Sequence, residues 1–453
     1  MIQFGTACLR RLAEGKDELE IRFGRLLRNP GVTVEGIVAG WSEEIAPAVA
    51  GRHVPAIQDS SDINFRTNDA HTRGLGAIGK GVGRGLILHP MIAVDAVSQD
   101  CLGLVGGTLW SREEEVQAKP AKRLARESKK TEGKGRKRKK KRSSGRPLAE
   151  KESRHWVETA QKAKAVLSQA AMVTMVADRE ADIYQMWAVV PGANVHVLGR
   201  AYQDRKLLGG ATLTTAAAHW PVLGTRQIAI RERADRPERI ADLEVRAGSI
   251  IMPRPRSVPK AGVPDQVTLT LIELTEPNTP QGAEPVVWRL LTTHAVTDAA
   301  MAWQIVDWYR ARWIIEQYFR TLKKQGLQIE DSQVETADRL LKLVAIAARA
   351  AVITMQLTQA RDHNSTLAAP LVFSSAEIAT LEALDKSYAN PNKLARNTHP
   401  PLSLQWASWI IARLGGWNGR EKTKPPGPIT FKNGLDALRR MAQGWSLRDM
   451  YTP

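Results

Sequence analysis

The run Ala171-Met-Val-Thr-Met-Val-Ala177, followed at once by Asp178-Arg179-Glu180-Ala181-Asp182, constrains this chain more than any other stretch. Apolar, β-rich and bounded by charge, it predicts a buried strand that delivers Asp178 at its carboxyl end, just ahead of a helix. An aspartate that merely caps a helix would stand in the same place. A shorter segment, Val54-Pro-Ala-Ile57, leads into Gln58-Asp59-Ser60-Ser61-Asp62 and predicts a second strand, carrying Asp59. A turn aspartate fits that position equally.

A third feature is the pattern Y-x2-R-x3-E-x6-K formed by Tyr309, Arg312, Glu316 and Lys323. If residues 302–325 form one helix, these four fall within about 60° of the helical wheel, at 100° per residue. Trp308, Ala311, Ile315, Phe319 and Leu322 fill the adjoining apolar sector. A carboxylate, two cations and a phenol would then line the edge of a buried face, which suits a metal ion and a polyanion bound together. An amphipathic helix with an Arg-Glu pair four residues apart would show the same pattern.

The order of predicted elements gives an α/β architecture. Residues 1–53 read as helical and include Arg10, Arg11, Arg22, Arg25 and Arg28. Strands are expected at 54–62, 86–96 and 101–109, a helix at 151–170, a strand at 172–177, a helix at 180–190 and a strand at 194–199. The order β-β-β-α-β-α-β is that of a ribonuclease H-like fold. Strand-like pieces at 226–231, 241–245 and 266–273, punctuated by Pro and Gly, predict a β insertion. Trp288 to Thr293 returns to the core, and helices follow over about 302–360. A last helix, Ser403 to Leu414, is closed by Gly415 and Gly416. The stretch Gly74-Leu-Gly-Ala-Ile-Gly79 fits G-x-G-x-x-G. It precedes a strand instead of following one, so it reads as a flexible loop and not a dinucleotide site.

Together the DREAD segment, the QDSSD segment and the Y-x2-R-x3-E-x6-K stripe resemble bacterial DDE transposases, specifically insertion-sequence family four. Arg25 to Thr33, Lys151-Glu152-Ser153, Trp288 ahead of Leu290-Leu291-Thr292, and Ser403 to Gly416 extend the resemblance over most of the chain. It implies a ribonuclease H-like mixed sheet with helices, a β-strand insertion, and helical N- and C-terminal regions. The expected divisions are a short helical DNA-binding region at 1–53 and a first part of the catalytic core at 54–200, holding a basic insertion at 117–147. The β insertion takes 201–285, the second part of the core 286–345, and a helical dimerisation region 346–453. Family members usually begin with a longer helical domain, so recognition of the element's end is less certain to be intact here.

The resemblance implies a cut-and-paste DNA transposase. Asp59, Asp178 and Glu316 would be the catalytic carboxylates and hold two Mg2+ ions, with Mn2+ able to substitute. Hard cations prefer oxygen ligands, and two of them about 4 Å apart can activate the attacking oxygen and stabilise the leaving one. Tyr309, Arg312 and Lys323 would contact DNA phosphates. Tyr309 could also be read as a covalent nucleophile, but its place on the stripe favours phosphate binding. Trp288, with Trp313 nearby, would stack on a base flipped near the element's end. The partners would be double-stranded DNA, as element ends and target, and a second copy of the chain in a synaptic homodimer. The alternatives are a truncated, non-catalytic DNA-binding regulator and a ribonuclease H-like nuclease without strand transfer.

Charge agrees with a polyanionic partner. Against 47 acidic residues stand 65 Lys and Arg, for a net charge of +18 and a pI near 10. Residues 121–146 alone carry +12. Their core, Arg136, Lys137, Arg138, Lys139, Lys140, Lys141 and Arg142, predicts a phosphate-binding arm. Only Cys8 and Cys101 are present, which implies no disulfide framework. The histidines are too far apart in sequence for zinc-type spacing. In sequence no apolar run approaches membrane-spanning length and the N-terminus lacks a signal-peptide pattern, so the protein is expected in the cytoplasm, associated with the nucleoid, and without a membrane partner.

Overall fold

The computed structural model describes residues 1–2, 4–42, 45–65, 74–79, 83–112, 148–230, 238–362, 365, 367–388, 396–419, 426 and 428–451. The basic run Arg136 to Arg142 lies outside them.

Among the described residues the strands are β1 (His53–Gln58), β2 (Ser61–Asn64), β3 (Gly76–Ile78), β4 (Gly83–Val94), β5 (Cys101–Trp110), β6 (Met172–Ala177), β7 (Val195–Arg200), β8 (Gly224–Ile230), β9 (Arg239–Pro253), β10 (Gln266–Thr275) and β11 (Val287–Thr292). The helices are α1 (Leu9–Leu12), α2 (Asp17–Arg28), α3 (Val34–Ala39), α4 (Ile45–Val49), α5 (Arg154–Val166), α6 (Tyr184–Val189), α7 (Leu213–Ala218), α8 (Ala299–Ala311), α9 (Ile314–Arg320), α10 (Ala337–Asp362), α11 (Ser375–Ser387), α12 (Leu404–Leu414) and α13 (Pro428–Tyr451). This is a mixed α/β fold with helices at both ends of the chain, as a ribonuclease H-like architecture requires.

The chain divides into two compact units. The strand unit takes Ala50–Asp59 and Lys134–Trp313. Its sheet runs in the order β1-β6-β7-β11-β10-β9-β8. β1, β6 and β7 are parallel, and every later pairing is antiparallel. Val173, Met175, Val176, Val197 and Leu198 are almost fully buried, as unbroken apolar strands demand. Helix α8 packs on β6, β7 and β9. The antiparallel half is stitched by ion pairs between neighbouring strands or along one strand: Arg239 with Glu276, Arg289 with Glu273, and Arg246 with Glu244.

The helical unit takes Met1–Val49, Ser60–Gly133 and Ile314–Pro453. In it β4 pairs antiparallel with β2, β3 and β5. Helix α10 packs on β5, α2, α3 and α12. Its 26 residues include an 18-residue window apolar enough to cross a membrane, contrary to the sequence expectation, yet 78% of that window is buried inside the protein. It is a core helix, hydrophobic around most of its surface because its neighbours cover it.

The glycine-rich stretch also departs from expectation. Gly76–Ile78 is a strand on β4, where a loop had been expected. At the C-terminus, α12 and α13 meet backbone to backbone. A Cβ on Gly415 would lie 1.8 Å from the carbonyl oxygen of Thr430, and one on Gly434 would lie 1.8 Å from that of Ile411. Two glycines therefore meet two carbonyls, each on the opposite partner.

Along α12, the apolar stripe Leu404, Ala407, Ile411 and Leu414 suits packing either against a second copy or in the chain's own core. The first three are fully buried within the chain's own helical unit, and Leu414 is half-buried.

Candidate active site

Asp59 and Asp178 stand at the carboxyl ends of neighbouring strands. β1 and β6 are parallel, with Ile57 opposite Val176. Continuing that register two residues brings Asp59 opposite Asp178, on strands about 4.8 Å apart. Asp178 also accepts the N–H of Glu180 at 2.7 Å and so caps the short turn Arg179–Ala181. The capping role and the strand-end position coexist.

Arg312 donates from Nη1 to Asp59 Oδ2 at 3.0 Å. The two side chains are 14% and 16% exposed, so the pair is largely shielded from water. Tyr309, buried on α8, meets Trp288 edge to face with ring centres 5.7 Å apart. Burial raises the Tyr309 phenol above its ordinary pKa; Asp178 adds to the rise, while Arg312 and Arg200 oppose it. Tyr309 therefore lies within electrostatic reach of both the Asp178 carboxylate and two guanidinium groups. Trp313 is 39% exposed.

Arg200 was not singled out by sequence. It ends β7, the strand beside β6, and its guanidinium lies 5.8 Å from the centre of the Trp288 ring. Burial lowers its pKa, and the nearby charges of Arg179 and Arg312 lower it further, against an opposing pull from Tyr309. Three arginines thus gather where Asp178 and Asp59 emerge. The signal that could have found Arg200 is its position: in α/β sheets ligands gather outside the carboxyl ends of the strands, and Arg200 is the last residue of one.

The expected continuous helix over 302–325 is broken. The N–H groups of Arg312 and Trp313 bond to carbonyls three residues back, Tyr309 and Arg310, each at 3.1 Å. Helix α9 restarts at Ile314, and residues Thr321–Gln325 then form a π turn. Tight and wide turns carry different angles per residue, so the four-residue stripe does not keep one helical phase. Tyr309 and Arg312 belong to the strand unit, Glu316 and Lys323 to the helical unit.

In the helical unit, Lys323 donates from Nζ to Ser61 Oγ at 2.6 Å and to the carbonyl of Asp62 at 2.5 Å. Burial lowers the Lys323 pKa; Glu330, Asp62 and Glu316 counteract it. Glu316 lies in the first turn of α9, half-buried and within electrostatic reach of Lys323. Ser61 and Asp62 come from the same segment that follows Asp59.

Histidines far apart in sequence come together beneath the parallel strands. Thr174 Oγ1 lies 2.8 Å from His53 Nε2 and 2.8 Å from His294 Nε2. His196 stacks on His294 at 3.8 Å, and Trp308 of α8 meets the edge of His53 at 4.2 Å. Burial lowers the His294 pKa to about 3, aided by the charges that His196 and His53 would carry. No sequence spacing foretells this, because β1, β7 and the segment after β11 bring the rings together.

Among the described residues, no three His, Cys, Asp or Glu side chains stand close enough together to hold a metal ion. Asp59 shares an oxygen with Arg312. The donors that do meet at the strand ends, Asp59 and Asp178, are hard carboxylate oxygens of the kind Mg2+ accepts.

The transposase DDE domain family matches residues 111–353, just over half of the chain. The chain belongs to that family: it is a transposase, with DNA as its substrate. The match covers Asp178 and the stretch from Tyr309 to Lys323, and it begins beyond Asp59.

Proposed function

We propose that this transposase acts by cut and paste, in the manner of insertion-sequence family four: it cleaves DNA at the ends of an insertion sequence and joins them to a target. The observation that carries the reading is the pair Asp59 and Asp178 at the ends of adjacent parallel strands. In this reading Asp59 and Asp178, with Glu316 as the third carboxylate, hold divalent cations, Mg2+ in the cell. Such ions supply an activated water or 3′-hydroxyl and neutralise charge on the scissile phosphate. The chain's own groups do the rest. Arg312 orients Asp59 through its hydrogen bond. Tyr309, Arg312 and Lys323 grip phosphates beside the cut, where burial strengthens their charge-assisted hydrogen bonds. Trp288 and Trp313 offer aromatic faces to a displaced base. Arg136 to Arg142 add sequence-independent phosphate contacts. Two copies act together so that both ends are cut and joined in one complex, in the cytoplasm on nucleoid DNA.

The test is incubation of the pure protein with the inverted repeats that flank its coding DNA, with Mg2+, Mn2+ or chelator. Metal-dependent double-strand cleavage at the ends followed by joining to a target supports the reading. Binding without cutting would favour a regulator, and cutting without joining a nuclease.

A further inference from the structure

Asp182 is the most thoroughly engaged carboxylate near the strand ends, and no catalytic role has been given to it. Its side chain is completely buried. It accepts the backbone N–H of Tyr202 at 2.9 Å and the Nε of Arg205 at 3.0 and 3.2 Å. Arg205 also donates from Nη2 to the Asp182 carbonyl. These contacts join the two segments that leave β6 and β7, whose ends are paired with Ala177 opposite Gly199. One is the turn after β6, opened by Asp178 and closed by Asp182. The other is the chain leaving β7 at Arg200, held to β11 through the Ala201 N–H on the Arg289 carbonyl and to the turn through the Tyr202 N–H on Asp182.

Arg200 Nη2 donates to the Val287 carbonyl at 3.1 Å, and the Asp182 contacts add a second hold on its segment. Its guanidinium is half-buried beside the like charges of Arg179 and Arg312. Repulsion and the loss of hydration both push it out toward water. A backbone pinned at Tyr202 and Arg205 resists that push. We infer that Asp182 is a positioning residue: it fixes the segment after Arg200 against the Asp178 turn and so holds the Arg200 guanidinium over the strand ends as a contact for a DNA phosphate. This rests on the transposase reading for its ligand and extends that reading to two residues outside the carboxylate set.

The test measures the salt dependence of binding to a labelled duplex carrying an inverted repeat, without divalent metal. Wild type, Asp182→Asn, Arg200→Gln and the double variant are compared. Each phosphate contact contributes about −0.9 to the slope of log K against log salt. Either single substitution should make the slope shallower by about 0.9, and the double variant should lose no more than one of them. A purely structural Asp182 would lower the melting temperature and leave the slope of the folded protein unchanged, which overturns the inference. An unchanged slope in Arg200→Gln, or additive losses in the double variant, overturns it too. If Asp182→Asn does not fold, Asp182→Asn with Arg205→Leu removes both buried charges together and is measured in the same way, since a paired deletion spares the cost of an orphaned ion. A wild type that shows the expected slopes but never cuts DNA defeats the cut-and-paste proposal and leaves the role of Asp182 standing.

Discussion

The two halves of the strand unit handle charge in opposite ways. In the antiparallel half, β8 to β11, buried or half-buried ions lie along the strands and find partners on the spot: Arg239 with Glu276, Arg289 with Glu273, Arg246 with Glu244. In the parallel half, β1, β6 and β7 hold no Asp, Glu, Lys or Arg before Arg200 and concentrate charge at their carboxyl ends. There Arg179, Arg200 and Arg312 lie near one another, beside the strand-end carboxylates Asp59 and Asp178. Paired charges along a strand stabilise a sheet. Like charges crowded at strand ends cost stability and are relieved by a ligand of opposite sign. On the proposed function, the parallel half is the reactive one.

Substitution should separate the halves cleanly. Asp178→Asn, at the parallel strand ends, is expected to slow single-turnover DNA cleavage by about 10³-fold or more, the equivalent of several kcal/mol of transition-state stabilisation. Its melting temperature should change little. Cleavage at near wild-type rate would remove Asp178 from the catalytic set.

Acid should strike the same half. His294 is held neutral, with a pKa of about 3 against 6.5 when exposed. Below pH 6.5 the unfolded chain takes up a proton that the folded chain refuses until about pH 3. Stability therefore falls as pH falls through that window, by on the order of a few kcal/mol. Hydrogen exchange at pH 7 and pH 4.5 should show β1, β6 and β7 losing protection ahead of β8 to β10. Equal protection loss in both halves would blur the contrast.

In the antiparallel half, Glu273→Ala leaves Arg289 without its partner on the neighbouring strand. A cost of about 1–3 kcal/mol follows from one orphaned, partly exposed ion. Denaturant melts would record it, while cleavage by the folded fraction should hold at the wild-type rate. A large drop in that rate would mean that the insertion reaches the chemistry.

The smallest effect concerns the basic run. Replacing Arg136 to Arg142 by Ser and Gly should weaken DNA binding without regard to sequence and make the salt slope shallower. Base preference should stay as it was. A slope identical to wild type would identify the run as a solvated loop.

Much of the parallel half could be read directly from residues. The run Met172 to Ala177 is one strand to the residue, because an unbroken β-rich stretch bounded by Asp178 admits little else. The helix Leu404–Leu414 ends where Gly415 and Gly416 stop it. The strand-end places of Asp59 and Asp178 follow from the same reasoning. What escaped was whatever depends on a bond count or a meeting in space. The i−3 bonds at Arg312 and Trp313 and the π turn after Arg320 leave no mark in a pattern of apolar spacing, so the stripe from Tyr309 to Lys323 looked continuous. Helix α10 looked short of membrane length because Lys and Arg residues punctuate it, and only its packing shows where it belongs. His53, His196 and His294 are each unremarkable in sequence and become a cluster only when β1, β7 and the segment after β11 come together. Arg200 and the Asp182–Arg205 pair were hidden for the same reason.

The crossing of α12 and α13 carries a lesson about inheritance. At Gly415 and Gly434 the space for a side chain is filled by a carbonyl of the other helix. Neither position has a neighbour in mutational space that keeps the contact, because alanine, the smallest possible step, already collides. Most positions in a core can drift through a series of tolerable substitutes, each repaired by the next. This joint offers no such series. A chain that loses either glycine would lose the seating of α13 on α12 in a single step.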